Sequence, residues 1–146
     1  MAVSDAIRDV ETDVDILRCH GTMRQLRPDH DPGRFLAQVR RQQRDGYRLA
    51  MLDHEGTVVA VAGYRISENL AWGRFLYVDD LVTDTGARSL GHGRRLLEWL
   101  VSAAREAGCR ELHLDSGVQR EDAHRFYLRE GLDLTSHHFR VVLGDR

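Results

Sequence analysis

The chain has 146 residues, 42% of them apolar and 30% charged, which suits one domain with a sizeable core and no need of disulfide staples. A formal net charge of −2 supplies no global field toward nucleic acid or an anionic membrane. Charged residues from Asp5 to Asp15 deny the N-terminal stretch an apolar signal core, and the longest apolar run, 58–62, cannot span a bilayer. Cys19 and Cys109 stand apart, outside any C-x-x-C pattern, so a reducing, cytoplasmic setting is expected.

Ile7 and Val10 sit in a short first segment with the character of an edge strand. Thr12 and Asp15 form a T-x-x-D capping signature, and Ile16, Leu17, Met23 and Leu26 follow at mostly helical spacing. The stretch 27–31 breaks that helix, and Phe35, Leu36 and Val39 mark a second one. The period then changes. Residues 47–52 and 57–66 read as strands joined by an Asp53-His54-Glu55-Gly56 turn, and a third strand is expected over 72–83, with Asn69 in the preceding turn. Leu96, Leu97, Leu100, Val101 and Ala104 make the apolar face of a helix that Gly108 ends. Residues 111–115 read as a buried strand, 121–130 as a short helix stopped by Gly131, and 132–143 as the closing strand or strands. This order predicts an α/β (α+β) fold with a mixed central sheet flanked by helices. Strands 72–83 and 111–115, linked through a helix, should lie parallel.

The turn between strand 72–83 and the next helix has the chemistry of a phosphate cradle. The first turn of a helix presents unpaired N–H groups and a partial positive charge. Gly91 and Gly93 lack side chains that would keep a bulky anion from the backbone, and Arg88, Arg94 and Arg95 add charge-assisted donors. A dinucleotide-binding G-x-G-x-x-G is not expected, because its third glycine would fall at Leu96 and the turn follows a late strand. His92, between the two glycines, is expected to face solvent.

Arg88-x-x-Gly91-x-Gly93 resembles the Q/R-x-x-G-x-G/A signature of the GNAT superfamily of N-acetyltransferases, and the element order is that of its fold. Ala123-x-x-Phe126-Tyr127-x-x-x-Gly131-Leu132 resembles the family's A-x-x-F-Y-x-x-x-G-F segment, with Leu132 in place of the final Phe. The resemblance covers nearly the whole chain and implies one GNAT domain over 1–146, with a splayed parallel strand pair forming an acetyl-CoA cleft. It implies cofactor contacts from Leu81, Val82, Arg88, Ser89, Leu90, Gly91, His92, Gly93, Arg94 and Arg95, with the Val82 N–H facing the thioester carbonyl. Arg120 stands where many relatives have Asn, so the chain departs from the pattern there and Arg120 is expected near the phosphates instead.

The implied reaction is direct attack of a primary amine, on a small molecule or a protein Lys or N-terminus, upon the acetyl thioester. Tyr127 occupies the position of a Tyr that protonates the departing thiolate in many relatives. Adjacent helical residues point about 100° apart, so Phe126 is expected to serve the core while Tyr127 faces the cleft. The amine must first lose a proton, a penalty of about 4.6 kcal/mol at pH 7 for a Lys-like group. Asp115 matches an acidic residue of bacterial protein N-terminal acetyltransferases. Asp79 and Asp80 compete with it, and two acids in an otherwise apolar strand require a partner, water or a β-bulge. The connection 26–32 overhangs the acceptor site in relatives. His137 and His138 lack a third ligand, so no metal is expected. An acyl-CoA sensor of the same fold is the alternative to an enzyme. No nucleic-acid or membrane partner is expected, and a homodimer is compatible with the sequence.

Overall fold

The computed structural model describes residues 5–88 and 90–145, which form two compact units, one ending at Leu114 and the other beginning at Asp115. In the first unit β1 (Ala6–Asp9), β2 (Arg48–His54), β3 (Thr57–Asn69), β4 (Gly73–Thr83) and β5 (Glu111–Leu114) lie side by side in chain order. Neighbours pair antiparallel except β4 and β5, which are parallel and joined through α3 (His92–Glu106). Helices α1 (Asp13–Met23) and α2 (Pro32–Arg44) separate β1 from β2.

Local chemistry sets these boundaries. The Thr12 hydroxyl accepts the Asp15 N–H at 3.1 Å and starts α1. Asp31 accepts the Arg34 N–H at 2.8 Å and Pro32 opens α2. His54 pairs with Thr57 across a two-residue turn in which Glu55 and Gly56 both take positive φ, the geometry whose twist suits a hairpin. The β3–β4 hairpin is longer than the sequence pattern predicts: β3 runs on to Asn69, and the Asn69 side chain accepts the Trp72 N–H at 2.7 Å, which leaves Trp72 in the turn.

Alternation along β2 and β3 divides the core. Leu49, Met51, Val61 and Val82 pack with Ile16, Cys19, Met23, Phe35 and Val39 of the first two helices. By the same alternation Ala62 and Tyr64 face the other way, where the Tyr64 ring meets Trp99 of α3 edge-on at 6.1 Å. Leu96, Leu97, Leu100 and Ala104 form the buried stripe of α3.

The β4–β5 ladder stops at Val78 opposite Leu114, whereas β4 continues to Thr83. Beyond Val78, therefore, β4 has a strand neighbour only on its β3 side among the described residues.

In the second unit α4 spans Glu121–Arg129. The closing strand expected over 132–143 is not formed: the described residues after α4 carry neither helix nor strand, and Leu134, Phe139, Val141 and Leu143 are exposed. β-Branched and aromatic side chains favour extended backbone, but a strand also needs a ladder partner, which composition does not supply.

A pH prediction follows from α1. Hydrogen bonds from Arg8 at 2.9 Å and Arg18 at 3.0 Å hold the Asp15 carboxyl below its ordinary range, Arg8 contributing most and burial opposing. The folded pKa lies below the unfolded value, so this stabilisation is complete above the unfolded pKa and disappears as pH falls through the folded one. Asp15→Asn should lower stability near pH 7 by about 1 kcal/mol, a modest figure because Arg8 is half exposed. Urea midpoints measured from pH 7 to pH 3 should converge with wild type toward the acid end.

Candidate active site

A cavity of about 400 Å³ lies in the first unit between the α1–α2 region and β4. Its chemistry comes from one irregularity. Gly63 pairs with Asp80 and Tyr64 with Val78, so Asp79 is an extra residue in β4 without an opposite number in β3. In a regular strand Asp79 and Asp80 would point to opposite faces; across this β-bulge both line the cavity. The cost of placing two acids there is met by partners. Arg27 Nε donates to Asp80 Oδ1 at 2.9 Å and Arg27 Nη2 to the Asp79 carbonyl at 3.1 Å. Arg65 Nε donates to Asp79 Oδ2 at 2.9 Å, and the Tyr47 hydroxyl to Asp80 Oδ2 at 2.8 Å. Burial raises the Asp79 pKa despite Arg65, and burial together with Asp80 holds the Tyr47 phenol well above its ordinary value. Gly63 is the sterically required residue under this group: a Cβ there would lie 1.9 Å from Tyr47 Oη, 2.4 Å from its Cζ and 2.6 Å from Asp80 Oδ2.

Leu81 and Val82 follow on β4, buried and paired with Ala62 and Val61. In an antiparallel ladder alternate residues direct their backbone N–H and C=O away from the partner strand. Past Val78 those groups face the side that β5 has left. Gln25 anchors the turn after β4, accepting the Thr85 N–H and donating to Asp84, both at 2.9 Å.

The start of α3 has the form the glycine motif calls for. Gly91 caps it in the left-handed region (φ 81°, ψ 7°) with no side-chain hydrogen bond, and nothing lies within 4 Å of where its Cβ would stand. Arg88 and Leu90 are exposed beside it, and Ser89 lies outside the described residues. Arg94 pairs with Glu98 at 3.0 Å. Arg95 binds Asp5, whose carboxyl it lowers first and His54 second. His92 corrects the expectation of a solvent-facing ring: it is 5% exposed, its two ring nitrogens find no hydrogen-bond partner among the described residues, and its ring lies 5.3 Å from that of His54. As the first residue of α3 it points back under the helix, since helical side chains lean toward the N-terminus.

Asp115, Arg120 and Tyr127 belong to the second unit. Asp115 lies one residue beyond β5, is 45% exposed and sits 3.7 Å from His138 Nδ1. Arg120 is the N-cap of α4, and its positive charge acts on the Tyr127 hydroxyl. Burial raises the Tyr127 pKa and Arg120 opposes that rise. Tyr127 is the buried member of the aromatic pair while Phe126 is partly exposed, with the Arg129 guanidinium 5.7 Å from its ring. Phe126 is therefore not the core member expected of it. A 100° step separates the two side chains but does not say which one turns inward.

Residues 15–132 match the model of the acetyltransferase (GNAT) family. The chain belongs to the GNAT acetyltransferase family. It is 35% identical over 120 residues to the uncharacterized N-acetyltransferase YhdJ of Bacillus subtilis, covering 81% of this chain and 84% of that one. It is 36% identical over 97 residues to the aminoalkylphosphonate N-acetyltransferase of Salmonella typhimurium, covering 66% of this chain and 60% of the other. In three dimensions it is similar to the aminoglycoside N-acetyltransferase AAC(6')-Iy in complex with CoA, with a TM-score of 0.82 at 17% identity over 100% of this chain and 97% of that one. At that identity the likeness concerns the fold.

Within this GNAT chain, the structure joins Asp80 to Asp79, Arg27, Arg65 and Tyr47. The last three were not singled out from the sequence. A signal existed for Arg65, a lone guanidinium in the strand Thr57–Asn69 that needs a carboxylate partner. Arg27 lies in the 26–32 connection already expected above an acceptor.

Gly63→Ala should destabilise the fold by about 1–3 kcal/mol through overpacking. Tyr47→Phe should not rescue it, since Tyr47 Cζ already stands 2.4 Å from the new Cβ. Urea unfolding of the single and double variants checks both outcomes.

Proposed function

We propose that this protein transfers the acetyl group of acetyl-CoA to the nitrogen of a primary amine by direct attack. The observation that carries the reading is the uncapped, left-handed Gly91 start of α3, which follows a strand whose outer edge is open past Val78. A helix N-terminus without a side-chain cap offers N–H donors to a pyrophosphate, and the open space at the missing Gly91 Cβ lets phosphate oxygens reach them. Arg88, exposed at the same turn, adds a guanidinium, and Ser89, Leu90, His92, Gly93, Arg94 and Arg95 complete the contact set that the motif implies. Arg94 and Arg95 already hold carboxylates, so Arg88 carries the larger share of phosphate binding. Acetyl-CoA supplies the activated acetyl thioester.

The edge of β4 open past Val78 suits an extended pantetheine arm. The Asp84 N–H bonds the Val59 carbonyl at 2.8 Å, and Val82, two residues back and opposite Val61, turns its N–H the same way toward β3; the Leu81 N–H, on the open edge, replaces it as the donor to the carbonyl oxygen where negative charge develops. Asp80 holds the amine in the cavity. Asp115 takes its proton, a role that rests on its motif position. Tyr127 donates its phenolic proton to the departing sulfur; its raised pKa keeps it protonated throughout the neutral range. Arg120 is then a positioning residue that orients the Tyr127 hydroxyl, in place of the phosphate contact expected for it. The N-acetyltransferase names of the two relatives in sequence support an amine acceptor.

At a hundred times its dissociation constant, acetyl-CoA should stabilise the protein by about 2.7 kcal/mol. Gly91→Val should abolish that thermal shift, because a branched side chain at φ 81° is strained and fills the cradle. An unchanged shift would move the cofactor elsewhere.

Tyr127→Phe should leave the acetyl-CoA shift in place and reduce turnover by about 10²–10⁴, the range of general acid catalysis. Release of free thiol against an amine panel reads this. Acetyl-CoA binding with no thiol release from any amine would make the protein an acyl-CoA sensor.

A further inference from the structure

The cavity under the bulge has a charge pattern that names its ligand more closely. It contains two carboxylates, Asp79 and Asp80, and two guanidiniums, Arg27 and Arg65, each acid already paired with one arginine. Such a site is not a trap for simple cations. The Asp80 side chain is only 14% exposed, so its charge is poorly hydrated and needs its partner; Arg27, from the connection between α1 and α2, is 52% exposed and carries the mobile end of the pair. A plain amine that took Asp80 would have to displace Arg27 and leave a guanidinium without its counter-ion. A diamine would add a second positive charge to the same place.

An amine that also bears an acidic group meets neither difficulty. Its ammonium replaces the guanidinium on Asp80, while its anionic oxygens take the donors that Arg27 gives up, so two ion pairs replace one and no charge is stranded. Arg27 presents Nε and Nη2 together, the fork that fits a carboxylate, phosphate or phosphonate oxygen pair. Arg65 stays committed to Asp79, its guanidinium 5.3 Å from the centre of the Tyr47 ring, and keeps the second acid neutralised during the exchange. Met23, Phe35 and Val39 supply the apolar part of a lining that His30, Gln38, Gln42 and Tyr77 complete, and suit a short alkyl chain between the two charges.

Resting on the acetyltransferase reading, we infer that the acceptor is a small zwitterion, a primary amine joined by a short chain to a carboxylate, phosphate or phosphonate, and that Arg27 is the residue selecting it. Arg27 exchanges Asp80 for the acid group of the acceptor, which brings the amine onto the carboxylate. The bound ammonium first gives one proton to the base, Asp115 in the proposed reaction; the neutral nitrogen then forms the amide bond to the acetyl carbon, the carbon–sulfur bond breaks, and the second nitrogen proton ends on the departing thiolate as a free thiol.

The test uses the full chain with acetyl-CoA and matched acceptors of similar length: propylamine and ethanolamine as amines neutral apart from the ammonium, 1,3-diaminopropane, 3-aminopropanoate, 2-aminoethyl phosphate and 2-aminoethylphosphonate. Free thiol and the N-acetyl product are both measured. The acid-bearing amines should exceed the neutral amines and the diamine in kcat/KM by about 10- to 100-fold, the range for one charge-assisted interaction. The carboxylate, phosphate and phosphonate arms identify the anion. Arg27→Ala should collapse that ratio by raising KM for the acid-bearing amines and improving use of the neutral ones, which no longer compete with a guanidinium. Arg27→Glu should shift the preference to the diamine. Equal or better use of neutral amines by wild type, or a ratio unchanged in Arg27→Ala, would overturn the assignment. If no amine in the panel is acetylated, the transferase reading fails by itself. Calorimetric titration of the same compounds then decides the zwitterion site: binding of acid-bearing amines by wild type and not by Arg27→Ala supports it, and absence of that difference overturns it.

Discussion

One extra residue in β4 organises the first unit. Between Val78 and Asp80 the strand gains Asp79 without a partner in β3, and that single shift in register turns two consecutive acids onto the same face. Everything placed around them answers the same electrostatic demand. Arg27 reaches in from the helical connection, Arg65 from β3 and the Tyr47 hydroxyl from the start of β2, and each hydrogen bond lowers the cost of holding carboxylates away from bulk water. The space for this group exists because position 63 has no side chain. Removal of a guanidinium with nothing in its place would leave a poorly solvated carboxylate, so each acid needs a donor at all times.

The same strand serves a second purpose through its backbone. Its ladder with β5 ends at Val78, one residue before the bulge, and local twist increases at a bulge. The side chains proposed to bind an acceptor and the main-chain edge open past Val78 thus begin at the same point of β4. Two residues past its end, a 3₁₀ turn over Thr85–Ala87 tied down by Gln25 leads toward Gly91 and the first turn of α3. One strand and its exit turn therefore carry the amine side, the thioester side and the phosphate side of the proposed reaction.

Much of this was legible before any coordinates. The Thr12 cap, the Asp53–Gly56 turn, the parallel pair joined by α3 and the left-handed Gly91 all follow from short-range rules that a window of a few residues contains. The pair of acids in an apolar strand also signalled a bulge. The partners of those acids were harder to see. Arg27 and Asp80 are 53 residues apart, and nothing in the local pattern around either names the other as its partner. His92 and Tyr127 turn inward for a related reason: a helix period fixes angles between neighbours, not the direction of the core. Residues 132–143 have strand composition without a ladder, which shows that propensity and pairing are separate requirements.

Burial has a different outcome for the thiols. Cys19 is fully buried in α1, with its sulfur 4.0 Å from that of Met51, and desolvation pushes its pKa up to about 12. At pH 8 only about one molecule in ten thousand carries it as thiolate, the form that attacks disulfides and electrophiles. A chain proposed to liberate a thiol at each turnover thereby keeps one cysteine out of reach of exchange with the disulfide that this product forms on oxidation. Cys109, partly exposed just beyond α3, is left as the position where oxidised CoA or an alkylating reagent can mark the protein.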